Sequence, residues 1–167
     1  MNLFPLNLRR WLFGRCPART LLRATLLGAC VWALASYVWL PVWIDGGSML
    51  PAYSSGQFRF IAARAFVRHP PQRGDIVAIR LAGKRVMFLK RVIGLPGERL
   101  EIRDGVVMND GVPLAEPYVR FRKTWQYPET VLATNQFFVI GDNRAMPREN
   151  HTMGKVSRER IVGRIMW

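Results

Sequence analysis

Three short stretches carry side chains able to do chemistry. In Gly46-Gly47-Ser48-Met49-Leu50-Pro51 two glycines precede a serine. Glycine admits backbone angles closed to other residues and lets another chain come near, and Pro51 biases Leu50 toward extended geometry. A serine on such a turn presents its hydroxyl as a nucleophile, and the backbone N–H groups around it can bind an oxyanion. Taken alone, Gly-Gly-Ser is more often just a flexible joint after a membrane span. The second stretch is Val86-Met87-Phe88-Leu89-Lys90-Arg91-Val92-Ile93. As a strand it places Lys90 on one face with Val86, Phe88 and Val92, and Arg91 on the other with Met87, Leu89 and Ile93. A lysine among apolar neighbours loses proton affinity because desolvation penalises its charged form. A neutral lysine is a competent general base. A lysine at a strand edge, its head in water, fits the same pattern, and the alternation does not say which of Lys90 and Arg91 faces inward. The third stretch, Gly141-Asp142-Asn143-Arg144, follows the apolar run Gln136–Ile140 and reads as a strand-ending turn.

The segments around these stretches differ in kind. Residues 24–44, ATLLGACVWALASYVWLPVWI, hold no charge over a length that crosses a bilayer as a helix. Arg9, Arg10, Arg15, Arg19 and Arg23 precede it with no acidic residue among them. The positive-inside rule puts residues 1–23 in the cytoplasm and residues 45–167 outside it, with Tyr37, Trp39 and Trp43 at the outer interface. Ala33-Leu34-Ala35 resembles a signal-peptide cleavage site, but the apolar run continues for nine residues beyond it, which favours an uncleaved anchor. Ser48 stands four residues past Ile44, within ~13 Å of the span's end even when extended.

Beyond residue 44 the pattern is β. Strands are expected over Phe58–Phe66, Asp75–Arg80, Arg85–Gly94, Gln136–Ile140 and Ile161–Met166. A hairpin turning at Asp104-Gly105 is expected within Leu100–Leu114, with a second turn at Asn109-Asp110-Gly111. Residues 117–134 read as an irregular loop rich in Arg, Lys, Tyr and Trp. The expected architecture is therefore mainly β, an antiparallel sheet domain after one N-terminal transmembrane helix.

A formal net charge of +14 calls for an anionic partner, nucleic acid or a membrane face. Cys16 and Cys30 both precede the β region, so no disulfide framework supports it. His69 and His151 stand alone, without metal-ligand spacing, and no metal or organic cofactor is expected.

Together the three stretches resemble the boxes of the type I signal peptidases, a family of Ser-Lys proteases. Ser48-Met49-Leu50-Pro51 is similar to the family's Ser-Met-x-Pro box after a membrane span. Lys90-Arg91-Val92-Ile93-Gly94-Leu95-Pro96-Gly97-Glu98 is similar to the box carrying the base lysine, with Glu98 for Asp. Gly141-Asp142-Asn143 opens the third box, and Gly154 and Ile161-Val162-Gly163-Arg164 resemble the C-terminal segment. The resemblance implies Ser48 as nucleophile and Lys90 as general base, with Gly46, Gly47, Met49, Pro51, Asp142 and Asn143 shaping the site. It implies signal-peptide-bearing preproteins as substrates, membrane lipids as surroundings, no nucleic acid, and an inner (plasma) membrane location with the catalytic domain on the periplasmic side.

The chain departs from the pattern in two places. Pro147, Glu149 and His151 stand where many members carry Ser-x-Asp-Ser-Arg, so the hydroxyl that helps orient the lysine is missing at Pro147. Gly46 replaces a residue that in some members offers a hydroxyl to the oxyanion. These departures keep a pilin-maturing peptidase of the same clan, or an inactive membrane-tethered relative, as alternatives. A self-cleaving DNA-binding repressor is disfavoured by the span and by the lack of a helix-turn-helix pattern.

Overall fold

A computed structural model describes residues 17–80, 87–147 and 153–166. The described residues fall into two units that divide between Val38 and Trp39. Within the first, helix α1 runs Pro17–Val38. Its 22 residues give a rod of about 33 Å. Leu21, Leu22, Leu26, Leu27 and Trp32 are exposed on it, as in a helix that is apolar all round. The window Ala18–Ala35 is long and apolar enough to cross a membrane.

The helix therefore starts and ends earlier than the expected 24–44, and Trp39–Trp43 forms strand β1 instead. The chemistry of that segment explains the difference. Pro41 would remove a hydrogen bond from a helix interior, whereas an edge strand tolerates it. Trp39, Pro41 and Trp43 are exposed and Leu40 and Val42 half-buried, an alternation of period two.

The second unit is mainly antiparallel β. Its strands are β1, β2 (Phe58–Ala62), β3 (Ile76–Arg80), β4 (Met87–Gly94), β5 (Arg99–Arg103), β6 (Val106–Asn109), β7 (Val112–Pro113), β8 (Tyr127–Val131), β9 (Gln136–Ile140), β10 (Gly154–Ser157) and β11 (Ile161–Ile165). Among the described residues these form a seven-stranded sheet, ordered β1-β2-β11-β3-β4-β9-β10, and a four-stranded sheet, ordered β7-β6-β5-β8. The hairpin turns at Asp104-Gly105 as expected, both residues having positive φ (50° and 77°). The second turn uses Asp110 and Gly111 in the same way.

Besides β1, two strands depart from the sequence expectation. β8 crosses the segment read as loop, and β10 falls where no strand is expected. β8 contains Pro128, which argues against a strand, and it occupies a sheet edge where the missing N–H costs nothing. Residues 85 and 86 of the expected third strand lie outside the described residues.

One core joins the sheets. Ile93 of β4 and Phe138 and Ile140 of β9 meet Leu100, Ile102 and Val107 of the smaller sheet, with Trp125 and Leu132. Gly94 sits at this junction because a Cβ there would lie 2.1 Å from Leu100 Cδ1. On the other face of the large sheet Val77, Ile79, Val92, Phe137, Val139 and Ile161 pack with Phe66. A third cluster of Ile44, Met49, Tyr53 and Ile165 underlies the turn after β1.

Candidate active site

The turn carrying Ser48 is anchored from below. Met49 is buried among Ile44, Tyr53 and Ile165, which leaves the adjacent Ser48 half-exposed above this cluster. Leu50 N–H donates to Gly47 C=O (3.2 Å) and Tyr53 N–H to Met49 C=O (3.0 Å), closing the turn. Gly46 takes φ 90°, a region unfavourable to other residues. Its N–H donates to Ser55 Oγ (3.2 Å), which in turn donates to Asp45 Oδ1 (3.2 Å). A Cβ on Gly47 would meet Leu50 Cδ1 at 3.3 Å, so the turn closes tightly over this position. Pro51 follows Leu50 through a cis peptide bond and is exposed.

Lys90 comes from the middle of β4, opposite Val77 of β3. It is only 2% exposed, whereas most lysines stay in water. Strand alternation alone leaves the inward residue open; the structure turns Lys90 toward the serine, and its Nζ donates to Ser48 Oγ at 2.7 Å. Burial lowers the Lys90 pKa to about 8, and the Asp142 carboxylate opposes part of that change. Arg91, on the opposite face, is not idle. Its Nε and Nη2 donate to Asp142 Oδ1 (2.8 Å) and Oδ2 (2.6 Å), a two-pronged pairing suited to guanidinium and carboxylate. Its Nη1 donates to Gly74 C=O at 2.7 Å.

The turn Gly141–Arg144 leaves β9 beside Lys90 and clasps the serine turn. Asn143 Nδ2 donates to Gly47 C=O (3.0 Å) and Asn143 N–H to Ser48 C=O (3.1 Å). Asp142 is fully buried and holds Arg91. Ser48, Lys90, Gly46, Gly47, Met49, Asp142 and Asn143 thus converge, while Pro51 flanks the turn from outside. Pro147 is exposed; Glu149 and His151 lie outside the described residues.

Sequence reasoning does not find Glu116 and Tyr118. Glu116 is buried and pairs with the equally buried Arg144, and Tyr118 O–H donates to Glu116 Oε1 at 3.0 Å. Both belong to irregular backbone, where no periodicity marks a buried side chain. Arg144 is flagged only by its place after Asp142-Asn143.

A groove of about 460 Å³ opens beside Ser48, lined by Trp43, Ile44, Gly46, Met49, Met87 and Leu89 among others. Most of its lining side chains are apolar. Among the described residues no group of three or more His, Cys, Asp or Glu side chains converges.

The family model for signal peptidase, peptidase S26, matches residues 18–167. The chain belongs to the signal peptidase family, peptidase S26. Curated relatives agree. "Probable signal peptidase I-1" of Synechocystis sp. is 32% identical over 142 residues, covering 80% of this chain and 72% of that protein. Signal peptidase I of Leptolyngbya laminosa is 33% identical over 130 residues, covering 73% of this chain and 64% of that protein. A solved signal peptidase I from Enterococcus faecalis is 29% identical, aligned over 57% of this chain and 97% of that chain with a TM-score of 0.47. Membership makes the chain a peptidase-family protein. With the apolar helix α1, it points to a membrane-anchored enzyme.

Proposed function

We propose that this protein is a signal peptidase I that removes signal peptides from exported preproteins with Ser48 as nucleophile and Lys90 as general base. The carrying observation is the 2.7 Å contact between Lys90 Nζ and Ser48 Oγ. With the amine neutral, the same contact runs in reverse, Ser48 O–H donating to Nζ. Lys90 then takes the proton as Oγ attacks the scissile carbonyl carbon. Charge develops on the carbonyl oxygen. Among the described residues the Ser48 N–H donates to no other group, which leaves it for that oxyanion. Collapse of the tetrahedral intermediate breaks the peptide C–N bond; the Lys90 ammonium protonates the departing amine and an acyl-Ser48 remains. Lys90, neutral again, takes a proton from water as that water attacks the acyl carbon and frees the enzyme.

The family resemblance implies substrates with small residues one and three positions before the cut, and the groove lies beside Ser48, where such a peptide would bind. Helix α1 anchors the enzyme across the plasma membrane with the N-terminus cytoplasmic, following the arginines before and within it, and with the β domain outside. Trp39, Trp43, Phe58 and Phe60 are exposed aromatics on β1 and β2, with the Phe58 ring 5.1 Å from those of both Trp43 and Phe60. Such side chains suit the lipid interface, where aromatic rings settle at headgroup depth.

The test is cleavage of a preprotein by the purified chain in detergent. Wild type should release the signal peptide, and Ser48→Ala and Lys90→Ala should each lose at least about a thousandfold in rate. Unchanged cleavage by either variant rejects the dyad.

A further inference from the structure

The residues between β7 and β8 close a ring around the site. Glu116 accepts from both terminal nitrogens of Arg144, Nη1 to Oε2 at 3.2 Å and Nη2 to Oε1. Tyr118 O–H donates to Glu116 Oε1 at 3.0 Å. The Tyr118 ring lies against the Arg91 guanidinium, with Cζ 4.0 Å from its centroid. Arg91 grips Asp142 through two hydrogen bonds. The path Arg144–Glu116–Tyr118–Arg91–Asp142 thus leaves and re-enters one turn two residues apart. Asn143, enclosed between those ends, holds the backbone of Gly47 and Ser48, and Arg91 is the chain neighbour of Lys90.

We propose that Glu116 and Tyr118 are positioning residues that lock Arg91 and the Gly141–Arg144 turn together and so bring Ser48 and Lys90 into contact. This rests on the Ser-Lys reading above. The ring spans both sheets: Glu116 and Tyr118 follow β7 of the small sheet, while Arg91, Asp142 and Arg144 belong to β4 and the turn after β9 of the large one. It is made of groups that are costly to bury. A carboxylate and a guanidinium with almost no exposure add little net stability over an apolar pair of the same shape. What they supply is direction, since a two-pronged pair and a stacked ring tolerate little rotation.

The clamp also governs the charge around Lys90. Asp142 faces it from the turn after β9 and Arg91 adjoins it on β4. Lys155 of β10 and Arg160 of the following 3₁₀ turn line a small cavity with it. Asp142 favours the ammonium form, and Arg91 neutralises Asp142. If Tyr118 releases Arg91, Asp142 acts on Lys90 uncompensated and water enters. Both effects raise the Lys90 pKa.

The experiment uses the full chain in detergent, with Tyr118→Leu removing ring and hydroxyl and Tyr118→Phe removing the hydroxyl alone. Two readings are taken: kcat and KM on an Ala-x-Ala preprotein across pH, and titration of ¹³Cε-labelled lysine. The chain has four lysines, Lys84, Lys90, Lys123 and Lys155, so Lys90 is assigned by its loss in Lys90→Ala. Tyr118→Leu should lower kcat by about tenfold or more, because a small misplacement of reacting groups is costly, with KM little changed. It should move the Lys90 titration and the acid limb of kcat/KM upward together by about half a pH unit. Tyr118→Phe should move both in the same direction by less. A folded Tyr118→Leu with wild-type kcat and Lys90 titration overturns the clamp; if that variant does not fold, a wild-type Tyr118→Phe does so. If the wild type cleaves no preprotein, the Ser-Lys reading falls, and the lysine titration alone decides whether the clamp acts on Lys90.

Discussion

Lys90 Nζ and Ser48 Oγ lie 2.7 Å apart across 42 residues of chain. Each comes from a different part of the large sheet, Lys90 from the middle of β4 and Ser48 from the turn after edge strand β1. What joins them is the turn after β9, which holds the serine turn through Asn143 and Arg91, the chain neighbour of Lys90, through Asp142. On the mechanism proposed above, the rate of cleavage reports on one amine.

Because burial sets the Lys90 pKa to about 8, the free amine is the minor form at neutral pH. Cleavage should climb as pH rises through about 8 and level off above it. At pH 6 the rate should be about a hundredfold below the plateau, the fraction of neutral amine for that pKa. Initial rates from pH 6 to pH 10 at saturating and limiting preprotein check this. A flat profile rules out an amine base.

The same burial carries a cost in stability. The Lys90 pKa falls from 10.5 in the unfolded chain to about 8 in the fold. Between those values the unfolded state binds more protons, so stability rises with pH through this window. Below about pH 8 the full penalty remains. Lys90→Met, close in volume, should therefore raise the melting temperature at pH 7 while abolishing cleavage, and the gap should close toward pH 10.5. The gain is at most about 3 kcal/mol, since a tenfold change in proton affinity corresponds to about 1.4 kcal/mol. Melts in detergent at pH 7 and pH 10 read it.

Asn143 ties the serine turn through Gly47 C=O and Ser48 C=O. Asn143→Ala keeps the backbone bond to Ser48 and loses the side-chain bond to Gly47, together with the one its Oδ1 accepts from Ala145 N–H. Its kcat should drop about ten- to a hundredfold while KM stays near wild type, because misplaced reacting groups lose rate more than affinity. Steady-state kinetics on one preprotein separate the two quantities. A rise in KM with unchanged kcat contradicts this assignment.

Gly163 lies on β11, which passes through the middle of the large sheet. A Cβ there would stand 2.3 Å from Ala62 C=O oxygen and 2.9 Å from Ala63 Cα, backbone that cannot swing aside. Gly163→Ala should cost at least about 2 kcal/mol from overpacking. Thermal unfolding should show it, and kcat below the melting range should stay near wild type.

The β character of residues beyond 45 is legible because alternation and the Asp-Gly turn are local signals. The hairpin at Asp104-Gly105 and strand Gln136–Ile140 lie where the pattern places them. The helix limits are not legible, because hydropathy cannot distinguish Trp39–Trp43 as a strand from the end of a span. Their state is decided by pairing with β2, from Trp39 opposite Ala62 to Trp43 opposite Phe58. Nor does local pattern reveal β8, since its Pro128 is acceptable only at a sheet edge.

At the site the division is similar. Resemblance to the family's boxes singles out Ser48, Lys90, Asp142 and Asn143, because those boxes are short and contiguous in the chain, whereas residue type alone leaves Ser48 in a flexible joint and Asp142-Asn143 in a turn. Which of Lys90 and Arg91 turns inward is open in the sequence, since a strand has two faces and both are flanked by apolar residues. The packing of β4 between β3 and β9 decides it, placing Lys90 toward Ser48 and Arg91 toward Asp142. Glu116 and Tyr118 have no sequence signal at all. Their role depends on contacts with residues distant in the chain, such as Arg144, 28 residues from Glu116, and only a folded chain brings such partners together.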